Sequence, residues 1–159
     1  MNTSLGRIIS RSMYGIIITT AVLTALEHTQ SNAWTIALTI IASLLSISIA
    51  EAYTEAIGAH IDKKRELAEE ERHHIFRESL YVFGGSTVPM LAFVLSALGL
   101  WDLHTAFTIA KVSSILLLFE YGYLYGRQSG RSRLGALKVG AINVLLVTLI
   151  IAFKEFVHV

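Results

Sequence analysis

The residues best suited to chemistry are acids at helical spacing within positions 34–78 of the 159-residue chain. Positions 34–50 read WTIALTIIASLLSISIA, and the run passes without proline into EAYTEAIGAHIDKKRELAEEERHHIFRE. At about 100° per residue, with Glu51 set at zero, Glu55 falls near ~40°, Asp62 near ~20°, Glu66 near ~60°, Glu69 near ~0° and His73 near ~40°. With a rise of about 1.5 Å per residue this stripe is about 33 Å long. The expectation is one helix that leaves a bilayer and continues into water, carrying a conducting or loading path for a cation.

Glu51 is the strongest candidate, because it ends the apolar run SLLSISIA. An ionisable side chain inside a bilayer is costly unless paired or wetted, by at least about 2.5–3.5 kcal/mol on insertion scales. It reads either as a structural acid bonded to a neighbouring helix or as a metal ligand that also exchanges protons. A carboxyl group in an apolar site can carry a proton and give it up when a divalent cation arrives. Glu55, one turn on, is the next relay point. Glu120 in LLLFEYGYLYG either pairs with a cation on another span or lines the same path. Lys111 lies on the opposite side of that helix and is expected to snorkel.

The elements that position these groups are membrane spans. The chain is 53% hydrophobic and 16% charged with mean hydropathy +0.59, too apolar for a soluble domain of this size. The fold class is all-α, a polytopic membrane protein of one domain over 1–159. Five transmembrane helices are expected at about 8–26, 34–58, 80–100, 104–126 and 134–157, the second extended by a charged cytoplasmic helix over 59–79. Each is close to the ~20 residues needed to cross ~30 Å of hydrocarbon. The first apolar run has no convincing small-residue cleavage site after it and reads as retained. There is no cysteine, which excludes thiol catalysis, disulfides and thiolate zinc sites.

Orientation follows lysine and arginine. Arg7 and Arg11 precede the first span, Lys63, Lys64, Arg65, Arg72 and Arg77 follow the second, and Arg127, Arg131, Arg133 and Lys138 flank the fourth-to-fifth turn. The positive-inside rule then puts the amino terminus and the charged segment in the cytoplasm and the carboxyl terminus outside or in a lumen. Glu27, His28, Asp102, His104, Glu155 and His158 read as interfacial polar residues, or jointly as an outer mouth.

Glutamates and basic residues at helical spacing usually make a solvated face. Asp62 with Glu66, Glu66 with Glu70, and Glu69 with His73 are instead acid–acid or acid–histidine pairs at i,i+4, a spacing that can clamp a cation. Hard oxygen ligands with occasional imidazole suit Fe²⁺ or Mn²⁺. Glu70, Glu71, His74 and Glu78 point to other faces and are available to a partner subunit.

Several runs resemble the vacuolar iron transporter family. Ser46-Ile-Ser-Ile-Ala-Glu51-Ala-Tyr53 resembles its second-span pattern of small residues, glutamate and tyrosine, followed by an acidic cytoplasmic helix. Tyr14-Gly15-Ile-Ile-Ile-Thr19-Thr20 is similar to its first-span Asp-Gly-x-x-Thr-Thr signature, with Tyr14 where the family has aspartate. Gly85-x-x-x-Pro89-Met-Leu91 resembles its third span, and Gly122-Tyr-Leu-Tyr-Gly126 with the basic turn after it resembles the end of its fourth span. The resemblance covers nearly the whole chain and implies a homodimeric, proton-coupled exporter of cytoplasmic Fe²⁺ or related metal, with its path at the dimer interface. It implies Glu51 as the intramembrane ligand, and Glu66, Glu69, Glu70 and Glu78 in the acidic cytoplasmic helix. Met13, beside Tyr14, reads as a packing residue or a soft ligand.

Gly122-x-x-x-Gly126 offers a small-residue face for a helix partner, within one protomer or between two. The expected partners are the lipid bilayer, divalent cations, protons and a second copy, with no nucleic acid and no tightly bound cofactor. The alternative function is a non-transporting membrane regulator or scaffold whose acidic helix binds a partner. An intramembrane enzyme is the least favoured reading, since no HExxH-like ligand pair lies within a span and adjacent His73 and His74 diverge by about 100°.

Overall fold

In the computed structural model, which describes residues 5–157, with side chains as far as 149 and at 152, six helices carry the chain. They are α1 (Leu5–Leu26), α2 (Ala33–Lys63), α3 (Glu69–Ser79), α4 (Val82–Ala97), α5 (Leu103–Gln128) and α6 (Arg133–Val157), and no strand occurs among the described residues. α1, α2, the joined stretch Glu69–Ala97 and α5 are long and apolar enough to cross a membrane. α6, at 25 residues, has the length of a fifth span. This is the architecture of a multi-pass membrane protein.

The bundle is assembled around α1. Its buried positions Ile9, Ser12, Ile16, Thr19 and Leu23 recur at three and four residues, so one face is turned inward along the helix. That face meets α4 with almost no side chain between the backbones. A Cβ on Gly15 would run into the Val82 carbonyl, and one on Gly85 would run into the Ser12 carbonyl and the Ile16 side chain. Thr19 Oγ1 donates to Ser86 Oγ across this seam at 2.8 Å. Away from the charged residues, Leu23, Ile36, Ile40, Phe93 and Phe107 form the main core, with the two phenyl rings edge to face at 4.9 Å.

The α5–α6 seam is also built on glycine. A Cβ on Gly122 would meet Asn143 and, at 2.9 Å, Gly140 Cα; one on Gly126 would come 2.7 Å from Ala136 Cα. The Gly122-x-x-x-Gly126 face is therefore consumed by packing within the protomer.

The continuous rod expected over 34–78 is broken. α2 ends at Lys63, Lys64 takes a left-handed conformation (φ 50°, ψ 31°), and α3 starts only at Glu69. Glu71 fixes the corner. Its carboxylate takes both Nη atoms of Arg65 at 2.9 Å, Lys63 Nζ at 2.5 Å and the Ala68 amide at 2.9 Å. Leu67 and Ile75 are buried there. At about 1.5 Å per residue the 31 residues of α2 still measure about 46 Å, more than the ~30 Å of a hydrocarbon layer. A second break at Leu80 and Tyr81 separates α3 from α4 and frees carbonyls, which Ser48 and Ser12 cover: Ser48 Oγ donates to Ser79 O and Ser12 Oγ to Tyr81 O, each at 3.2 Å.

Candidate functional site

The ionisable side chains gather where the start of α1 meets the second half of α2 and the end of α3. Arg7 and Arg11 are one turn apart on α1, and Glu51 and Glu55 one turn apart on α2, so the two pairs face each other as matching rungs. Arg11 Nε lies 3.6 Å from Glu51 Oε1, and Arg11 Nη2 donates to Glu55 Oε2. Arg7 Nη1 lies 3.8 Å from Glu55 Oε1 and donates to Glu78 Oε2 at 2.7 Å. His74 Nδ1 stands 3.7 Å from Glu78 Oε1. The result is a ladder of alternating charge, Glu51, Arg11, Glu55, Arg7, Glu78, that ties three helices together.

Burial is uneven along it. Glu78 is fully enclosed and the Arg11 side chain is 9% exposed, whereas Glu51 keeps 29%. Arg11 Nη1 and Glu51 Oε2 are enclosed and have no hydrogen-bond partner. An unmade bond on a buried charged group costs free energy, so these two atoms mark a place where the ladder is not saturated. Arg11 and Glu51 line an open groove of about 480 Å³ between α1 and α2, together with Ser10, Tyr14, Ile47, Ala50 and Thr54.

Depth along the helices refines the intramembrane assignment. Glu51 follows Trp34 by 17 positions and Glu27 follows Arg11 by 16, which at about 1.5 Å per residue gives about 24–26 Å in each case. A hydrocarbon layer is about 30 Å thick, so the Arg11–Glu51 level and the Glu27 level are separated by nearly the thickness of one. At that second level Lys111 donates to Glu27, joining α5 to α1. Asp102 caps α5 by accepting the Thr105 amide at 2.6 Å, a bond that holds its carboxyl below its ordinary value. The side chain of Glu155, and His158, lie outside the described residues.

The other sequence candidates are dispersed. Asp62 is exposed on the last turn of α2, and Glu66 is exposed in the connection between α2 and α3. Glu69, Glu70 and His73 are exposed on α3, beyond the break, so they do not continue the line of Glu51 and Glu55. Glu78 joins the ladder instead of that acidic face. Glu120 is exposed on α5, with no ion pair among the described residues. Tyr14 is exposed at the mouth of the groove, and Met13 packs against the Ile16 and Leu118 cluster. Among the described residues no three aspartate, glutamate or histidine side chains come together as a metal-binding group.

Sequence reasoning missed the two arginines as partners of the acids. The available signal was their spacing, Arg7 and Arg11 matching Glu51 and Glu55 turn for turn. Glu71, placed on another face, sets the corner, and its carboxyl is lowered to about 2, first by the Arg65 guanidinium and then by Lys63 and the Ala68 amide.

A further feature stands on the outer surface of α2. Ala42, Ser46, Ala50, Thr54 and Gly58 recur every four residues and are all exposed. The Ser46 and Thr54 hydroxyls are satisfied by the carbonyls of Ala42 and Ala50 at 2.8 Å and 3.0 Å, so the stripe carries no unmet hydroxyl donor. Small residues at this spacing let two membrane helices approach closely. Compared with family models, curated proteins and solved structures, the chain gives no match.

Proposed function

We propose that the chain is a homodimeric membrane transporter that moves a divalent cation, Fe²⁺ or Mn²⁺, out of the cytoplasm in exchange for protons, along the groove between α1 and α2. The observation that carries this is Glu51: a carboxylate with one enclosed, unbonded oxygen, beside an open groove between α1 and α2. The glycine seam leaves no room for an ion between α1 and α4, which favours the groove between α1 and α2 as the route. Two copies meeting on the small-residue stripe of α2 would bring two Glu51 and two Glu55 near one axis, since a twofold interface pairs each patch with itself. That doubles the hard oxygen ligands near one axis. In this reading α2 extends past the bilayer into the cytoplasm, the amino terminus lies on the same side, and the resemblance to vacuolar iron transporters agrees in span order.

A second reading is favoured by the arginines. If Arg7 and Arg11 neutralise the acids permanently, the ladder is a structural clasp, and the exposed Glu69, Glu70 and His73 face of α3 serves a cytoplasmic partner. Flux separates the two. Protein reconstituted in liposomes is expected to move Mn²⁺ when driven by an opposing proton gradient, and Glu51→Gln to abolish it. Equal flux in wild type and Glu51→Gln removes Glu51 from any transport role.

A further inference from the structure

Arg11 touches both rungs of the α2 acid pair. A guanidinium that held two carboxylates as a fixed structural bridge would be expected to use its full fork, because bidentate geometry is what repays the desolvation of the charges. Here the fork is incomplete on both sides. Nη1 is enclosed without a partner, Glu51 Oε2 is enclosed without a partner, and the Nε to Glu51 contact is a loose 3.6 Å. The Arg11 side chain is more than nine-tenths buried, lines the open groove, and sits on α1 while the acids sit on α2.

We infer that Arg11 is a tethered stand-in for the transported cation: it holds Glu51 and Glu55 when the site is empty, and a divalent ion must displace it to bind. With Arg11 in place the five ladder groups carry one negative charge in excess, and a divalent ion turns this into one positive charge in excess. A divalent ion on the two carboxylates neutralises both, so the guanidinium loses its partners there, and the ion and Arg11 cannot hold the same oxygens at once. When the ion leaves, Arg11 returns, and the acids are never stranded as bare charges. This inference rests on the reading that the groove takes a divalent cation, and deepens it.

The test is Mn²⁺ binding to the purified full-length protein in nanodiscs, followed by the electron paramagnetic resonance signal of free Mn²⁺. Arg11→Gln is expected to bind at least about tenfold more tightly than wild type, the worth of one charge-assisted hydrogen bond that the ion no longer displaces. The gain should vanish in Arg11→Gln with Glu51→Gln. Should Arg11→Gln fail to fold, Arg11→Lys keeps the charge, cannot bridge both carboxylates, and should still bind severalfold more tightly. Unchanged affinity in the folded variant, or a gain that survives loss of Glu51, overturns the inference. Wild-type flux with no gain in the variant sinks this inference alone. A gain in the variant with no wild-type flux sinks the transport reading and leaves the competition standing.

Discussion

Replacing Arg11 by methionine keeps the length and apolar stem of the side chain and removes the charge that joins α1 to α2. Removing one member of a buried ion pair costs about 3–5 kcal/mol, because the remaining charge is left uncompensated. Glu51 and Glu55 keep 29% and 31% of their side-chain surface exposed, so water reaches part of each carboxylate. Discounting for that solvation, the expected loss is about 2–3 kcal/mol. For a protein of roughly this size each kcal/mol moves the melting midpoint by about 2–4 °C, which gives a fall of about 4–12 °C. Thermal unfolding in detergent, followed by circular dichroism, measures it. Adding Glu51→Gln to Arg11→Met should recover about half the loss, since it removes the carboxylate left without its arginine, whereas Glu55 keeps Arg7 at 3.8 Å. A single variant that melts with wild type, or a double variant no better than the single, would refute the claim that this ladder holds the helices together.

Two further outcomes follow from the packing and the corner. Gly15→Ala places a methyl group against the Val82 carbonyl in the α1–α4 seam and should cost about 1–3 kcal/mol despite alanine's better helix propensity, whereas Gly6→Ala, which meets open space, should be close to neutral in the same melt. The corner should respond to acid. The Glu71 carboxyl is lowered from 4.5 to about 2 by Arg65, Lys63 and the Ala68 amide, so its contribution is fully present above the ordinary carboxylate range and is lost as pH falls from 4.5 through 2. Amide hydrogen exchange over residues 64–72 should therefore rise, relative to the rest of α2, across that window; Glu71→Gln should show raised exchange at neutral pH and little further dependence on acid. Protection in the wild-type corner that is flat over the window would show that Glu71 does not hold it.

The sequence by itself determined the helices and their apolar faces. Runs of about twenty apolar residues can satisfy backbone hydrogen bonds in lipid only as helices, so α1, α2, α4 and α5 lie close to where composition put them. It also contained the break after α2, in a form periodicity does not read. His60 and Lys63 in the last turn of one helix, and Glu69, Glu70 and Glu71 in the first turn of the next, are the charges that helix dipoles favour at a stop and a start. The stripe from Glu51 to His73 exists only on the assumption of one continuous helix across them. A single left-handed residue at Lys64 is enough to end that assumption, because every later residue then loses its angular relation to Glu51.

Only the tertiary structure decided what the acids touch. Arg11 and Glu55 are 44 positions apart, Arg7 and Glu78 71, and Lys111 and Glu27 84, separations over which no helical period carries information. The same holds for the glycines: spacing offered Gly122 and Gly126 for close approach, and the fold gave that approach to α6 while leaving the small residues of α2 on the outside. Local chemistry sets which residues form a helix and which face is small or charged. Which of those faces are used inside the protomer, and which carboxylate meets which arginine, depends on how the helices pack, and the cost of burying an unpaired charge is what selects among the packings.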